Sequence, residues 1–93
     1  PHARIVVHAR ALVEWRGEKI VENFCTRFLS LRTSAKMSLA RVASAINIAP
    51  RTLKYYSSGE REPSLSTLIA IADLFDVSLD YLAGRTDDPK VHR

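Results

Sequence analysis

The stretch from Ser38 to Gly59 limits this chain more than any other. Ser38 can cap a helix with its hydroxyl, and Leu39, Val42, Ala43 and Ile46 then follow at helical spacing. Arg41 occupies the third helical position, so no reciprocal capping box forms. Asn47 tolerates the left-handed conformation that ends a helix, and Pro50 suits a first helical turn that needs no N–H. Gly59 supplies the next stop. Two helices, 39–46 and 50–58, are thereby bracketed with a tight turn between them. Each has only about two turns, well under the ~12–15 residues at which isolated helices become even marginal in water. They must pack on each other and on a larger core. Val42 and Ile46 line the first helix, Ala43 is small where the two cross, Ile48 plugs the corner, and Leu53 and Tyr56 anchor the second.

The flanks continue the pattern. Asn23 is a plausible N-cap for a helix carrying Phe24, Phe28 and Leu31 on one face, with Cys25 beside that stripe as a small core residue. After the loop Glu60-Arg61-Glu62-Pro63, Ser64 caps a helix through Phe75 with Leu65, Leu68, Ile69, Ala72 and Phe75 inward. Ser78 caps a last short helix, Leu79 to Ala83, closed by Gly84. Period-2 alternation and internal repeats are absent from this stretch. The expected fold is therefore all-α, a compact bundle of about five short helices. With 93 residues there is room for one small domain. We divide the chain into an N-terminal extension (1–22), the helical domain (23–84) and a polar tail (85–93) that contains Pro89 and should fray.

Charge separates along the chain. The net charge is +4, yet residues 24–62 alone carry +5 and residues 63–93 carry −2. A basic middle and an acidic rear suit one face for a polyanion and another for something else. The basic front end is broken by Arg4, Arg10, Glu14 and Arg16, which makes a poor signal peptide, and no apolar run approaches the ~20 residues of a membrane span. Cys25 is the single cysteine and cannot form an internal disulfide, so a cytoplasmic protein is expected. His2, His8 and His92 lie in the terminal segments and form no ligand cluster with Cys25, so neither a metal nor a cofactor is expected. Asp87-Asp88 reads as a solvent-facing pair, and Ser57-Ser58 has no base placed to activate it. Nothing in the sequence supports an enzyme.

The segments Ser57-Ser58-Gly59-Glu60-Arg61-Glu62-Pro63-Ser64-Leu65 and Val77-Ser78-Leu79-Asp80-Tyr81-Leu82-Ala83-Gly84 complete the pattern. Together with the helix pair, they resemble the lambda-repressor-like, or Xre-type, helix-turn-helix family of transcriptional regulators, from about Phe24 to Gly84. The resemblance implies a third helix that enters the major groove of double-stranded DNA. Carried over by position, the groove-facing residues are Pro50, Arg51, Thr52, Lys54 and Tyr55. Base readout falls to Arg51, Thr52 and Tyr55. An arginine in the first turn reaches a guanine edge with two hydrogen bonds, and a tyrosine one turn later meets a thymine methyl or a phosphate. Phosphate contacts fall to Ser38, Arg41, Lys54, Ser58 and Arg61, helped by helix N-termini at Ser38 and Ala49. The chain departs from the family pattern at Leu39, where glutamine is usual, and at Ala49-Pro50, where a polar cap and a polar reader are usual.

The implied function is a sequence-specific regulator, a repressor acting as a homodimer on a near-palindromic site, with a regulatory protein as a further possible partner. Dimer contacts are expected from Leu79, Tyr81 and Leu82 or from the N-terminal segment. The alternative is a protein-interaction module of antitoxin or antirepressor type, which Leu39 and the acidic rear half favour. Residues 1–20 lie outside the resemblance. Trp15-Arg16-Gly17-Glu18-Lys19-Ile20-Val21 suits a purine-rich ribosome-binding stretch followed by a GTG start at Val21, which makes 1–20 a translated leader. The other readings are a docking or exchanged arm built on Ile5, Val6, Val7, Leu12, Val13 and Trp15, or a minor-groove arm carrying Arg4, Arg10 and Arg16.

Overall fold

The computed structural model describes the backbone of residues 2–91 and the side chains of residues 19–91. Five helices follow one another: α1 (His2–Ala35), α2 (Leu39–Ile46), α3 (Pro50–Ser57), α4 (Leu65–Phe75) and α5 (Leu79–Ala83). Among the described residues there are no strands. The short helices stand where their caps put them. Ser38, Ser64 and Ser78 are extended N-caps whose hydroxyls accept from the N–H groups of Arg41, Thr67 and Tyr81. Each such bond satisfies one of the N–H groups that a helix start leaves without a partner, and contributes about 1 kcal/mol.

The helix ends share one device. Lys36, Asn47, Asp76 and Gly84 all adopt positive φ. The next residue then donates its N–H to a carbonyl five positions back: Met37 to Arg32, Ile48 to Ala43, Val77 to Ala72 and Arg85 to Asp80. Met37, Ile48 and Val77 fold back onto the core as they do so. Lys36-Met37-Ser38-Leu39 and Asp76-Val77-Ser78-Leu79 are thus the same joint used twice: a left-handed residue, an apolar plug, a serine cap and a new helix.

The core centres on Phe24 and Phe28 of α1, fully buried and stacked with ring centroids 5.2 Å apart. Phe75 meets Phe28 edge-on at 6.3 Å. Val42 and Ala43 of α2, Leu53 of α3, Ile71 of α4 and Leu82 of α5 close around them with no exposed surface.

Four expectations need correction. Asn23 is not an N-cap, because α1 runs through it without a break and carries the backbone helix back to His2. The boundary drawn between residues 22 and 23 therefore falls inside a helix, and the side chains of residues 1–18, with their apolar and basic groups, lie outside the described residues. The inward face of α4 holds at Leu68, Ala72 and Phe75 but not at Leu65 and Ile69. Leu65 is 68% exposed and Ile69 42%, whereas Ile71 and Thr67 are buried. The helix LSTLIAIADLF is apolar almost all round, so its spacing fits two faces equally well. Burial of Thr67 costs little because its hydroxyl pairs with that of Ser64 at 2.9 Å. Leu82 lies in the core and is not displayed for a dimer as expected; Tyr81 is half-buried with the Arg27 guanidinium over its ring at 4.1 Å, and Leu79 is 38% exposed.

Over the residues described, the tail folds back onto the domain. Arg27 donates to the Thr86 carbonyl at 3.1 Å and to Asp87 Oδ1 at 2.8 Å. The Ser78 N–H donates to the Pro89 carbonyl at 3.0 Å. Long-range hydrogen bonds of this kind leave no local trace in a sequence, so composition alone misleads about such a tail.

Candidate nucleic-acid interface

Leu53 fixes the orientation of α3. It is fully buried, and Tyr56, one turn from it, packs half-buried against the same core. With this face turned inward, the helical period turns Arg51, Lys54, Tyr55 and Ser58 outward. Arg51, Lys54 and Ser58 are exposed, and Thr52 and Tyr55 are half-buried. Arg51, Lys54, Tyr55 and Ser58, together with Glu60, border a shallow depression of about 250 Å³. Thr52 stands on the first turn of α3 outside that border.

Tyr55 organises the site. Its hydroxyl accepts from Arg51 Nε at 3.4 Å, and the Arg61 guanidinium lies over its ring, 4.9 Å from the centroid. Its carbonyl accepts from the N–H groups of Glu60 (3.0 Å) and Arg61 (3.2 Å) and from the Ser58 hydroxyl (3.2 Å). That turn is possible because Gly59 takes φ +81°, with Cys25 Sγ and Val21 Cγ1 only 3.6 Å from where a Cβ would stand. Ser58 can reach a phosphate as a donor only by rotating its hydroxyl off the Tyr55 carbonyl.

At the start of α3, Ala49 makes no side-chain cap and Pro50 has no N–H. The N–H groups of Arg51 and Thr52 therefore point out of the helix without an intrahelical acceptor, on the end where the helix dipole favours an anion. Ser38 and Arg41 stand at the start of α2, both exposed, and the Ser38 hydroxyl already accepts from the Arg41 N–H at 3.1 Å. Leu39, which helical spacing sets on the same face as Val42, Ala43 and Ile46, packs half-buried against the core with them.

Electrostatically the site is basic with one exception. The ion pairs Lys19–Glu22, Arg27–Asp87 and Arg85–Asp80 involve none of Arg41, Arg51, Lys54 and Arg61. Glu60 is the exception, and sequence reasoning missed it by treating 60–63 only as a loop. The signal was the tight turn at Gly59, which folds the next residue back over the last turn of α3.

Cys25 is half-buried, with Sγ 3.5 Å from the Tyr56 carbonyl. Burial pushes its thiol pKa up, and this outweighs the opposing backbone hydrogen bond. A thiol kept protonated is a poor nucleophile. Among the described residues no group of three or more His, Cys, Asp or Glu side chains could hold a metal ion. No helix among them is long and apolar enough to cross a membrane.

A short helix, a left-handed Asn turn and a second helix held by one buried leucine define a helix-turn-helix unit. The helix-turn-helix family model matches residues 29–82, and the chain belongs to this family, the lambda-repressor-like transcriptional regulators. It is 39% identical over 72 residues to the uncharacterised HTH-type transcriptional regulator YobD of Bacillus subtilis, an alignment covering 75% of this chain and 64% of YobD. It is 36% identical over 59 residues to RstR, a transcriptional repressor of the cryptic phage CTXphi of Vibrio cholerae, covering 63% of this chain and 53% of RstR. A transcriptional regulator from Listeria innocua has a similar structure, with a TM-score of 0.61 and 30% sequence identity over 75% of this chain and 61% of that one. The chain thus spans about half to two-thirds of the length of these proteins.

Proposed function

We propose that this chain binds double-stranded DNA sequence-specifically as a transcriptional regulator, with α3 in the major groove. The observation that carries this reading is the outward face of α3: Arg51, Lys54 and Tyr55 side by side, held in place by the buried Leu53. Arg51, Thr52 and Tyr55 face base edges. Lys54, Arg61, Arg41, Ser38 and Ser58 hold phosphates and set register. A repressor, occupying promoter DNA in the cytoplasm, fits this arrangement best, and the similarity to RstR supports that direction of control.

A single α3 reads only a few base pairs, so a near-palindromic site read by a homodimer completes the proposal. Leu65, Ile69 and Leu79, exposed on α4 and α5 rather than in the core, offer the apolar surface for it. The same surface, bordered by Asp73, Asp76 and Asp80, favours the second reading, a module of antitoxin or antirepressor type whose main partner is another protein. Selection of bound sites from random duplex DNA separates the two readings. Enrichment of a motif with two half-sites about one helical turn apart supports the regulator. No enrichment, with no duplex binding at low salt, leaves the protein-partner reading standing.

A further inference from the structure

We infer that Tyr55 is a positioning residue that divides the work of the two arginines around it, and this rests on the DNA-binding reading above. Its hydroxyl accepts the Nε–H of Arg51, one turn earlier on the same helix. An arginine has five N–H donors in a fixed planar fork. When Nε–H is bound to the phenol, the two terminal nitrogens remain for the paired hydrogen bonds that read a guanine edge. The phenol thus fixes the plane of the fork before DNA arrives, and the side-chain freedom lost on binding falls accordingly. The Tyr55 hydroxyl then contributes to base choice through Arg51 rather than through a base contact of its own.

The ring does something different. Arg61 lies over one face of it at 4.9 Å, and the Arg61 backbone N–H is tied to the carbonyl of the same tyrosine at 3.2 Å. Arg61 follows the positive-φ Gly59 in an exposed loop, where a long side chain would otherwise have many rotamers. Stacking on Tyr55 holds its charge beside the C-terminal end of α3, where a groove-bound helix meets the backbone. Glu60, on the rim of the same depression, keeps a carboxylate near these cations, so their directions matter more than their bare sum of charge.

The hydroxyl and the ring can be removed separately. In Tyr55→Phe the ring remains and the hydroxyl is lost; in Tyr55→Leu both go. Binding is measured by fluorescence anisotropy at several salt concentrations, using the selected duplex, the same duplex with the Arg51-contacted guanine replaced, and a random duplex. Tyr55→Phe is expected to lower the preference for the guanine-containing site about fivefold, with random-duplex affinity and salt slope unchanged. Tyr55→Leu is expected to lose that preference and also to lower the salt slope by up to about one unit, as a displaced phosphate contact does. In an Arg51→Ala background, Tyr55→Phe should have no further effect.

A Tyr55→Phe effect that persists in full without Arg51 overturns the inference and makes Tyr55 a direct contact. So does unchanged discrimination by Tyr55→Phe. Equal weakening on all three duplexes overturns it too. Far-UV circular dichroism and thermal melts of each variant show whether a loss reflects unfolding, and the Phe variant, which keeps the ring and removes only the hydroxyl, is the one expected to keep the fold. If the unaltered protein binds no duplex, the DNA-binding reading itself has failed, which is a different outcome from a protein that binds with a preference Tyr55→Phe leaves intact.

Discussion

Asn23 and Gly84, sixty-one positions apart, touch so closely that a Cβ on Gly84 would stand 2.7 Å from the Cβ of Asn23 and closer still to its amide. Gly84 also has φ +80°, and the Asn23 amide donates to the neighbouring Ala83 carbonyl at 3.4 Å. The end of α5 is thereby locked against the middle of α1. Gly84→Ala meets both obstacles, a left-handed backbone that costs about 1–2 kcal/mol for an L-residue and a collision with α1. Urea unfolding should show a loss of about 2 kcal/mol or more, part of it recovered in the double variant with Asn23→Ala. A loss under about 0.5 kcal/mol would mean that α5 does not sit against Asn23 as described.

Arg27 holds the tail. Its guanidinium donates to the Thr86 carbonyl and to Asp87 while lying over the Tyr81 ring. Its side chain is only 18% exposed, whereas that of Asp87 is 102% exposed. Arg27→Ala should therefore destabilise the fold by about 1–2 kcal/mol through lost stacking and the backbone hydrogen bond. Asp87→Ala should be indistinguishable from the unaltered protein in the same melt. Equal effects would assign the stability to the ion pair instead.

α3 lacks the cap that the other short helices have. Ala49 is already in the extended conformation of an N-cap, φ −65° and ψ 134°, and lacks only an oxygen. Ala49→Ser should raise stability by about 0.5–1 kcal/mol, read as a higher urea midpoint at unchanged slope. No gain would show that its hydroxyl cannot reach the N–H groups of the first turn.

The proposed interface predicts a split between specificity and salt dependence. Arg51→Ala should cost about 1–3 kcal/mol at the selected site and flatten the sequence preference. Lys54→Ala should weaken every duplex and lower the salt slope by about one unit. Uniform weakening by Arg51→Ala would remove it from base readout, and an unchanged slope for Lys54→Ala would remove it from phosphate contact.

Burial keeps the Cys25 thiol protonated to higher pH than an exposed thiol. Its thiolate fraction, and so its alkylation by iodoacetamide, should rise with pH later than that of a free thiol in the same buffer. Urea should abolish the difference by exposing it. Alkylation of the folded protein at the rate of a small thiol would contradict this account.

The sequence reveals the joints of this fold because each joint is local. Ser38, Ser64, Ser78, Asn47 and Gly84 act on groups within a turn of themselves, so residue type and spacing are enough to place α2 to α5. Lys36 and Asp76 escaped notice as helix stops because only packing of the following Met37 and Val77 compels those residues into positive φ. The outward residues of α3 came from the family resemblance, and the inward anchors Leu53 and Tyr56 are consistent with them. The Arg51–Tyr55 spacing was also visible, but which of their atoms meet was not.

What the amino-acid order determined by itself is where the short helices start and stop, their caps and the helix-turn-helix unit, because caps and turns act within a few residues. Only the tertiary structure decided that Ile71 rather than Ile69 of the largely apolar α4 is buried, since the two are equally apolar and packing against the Phe24–Phe28 core chooses between them. It also decided that Asn23 binds the end of α5, and that the tail is held. Those outcomes rest on contacts about sixty residues apart, whose free energy no window of sequence contains.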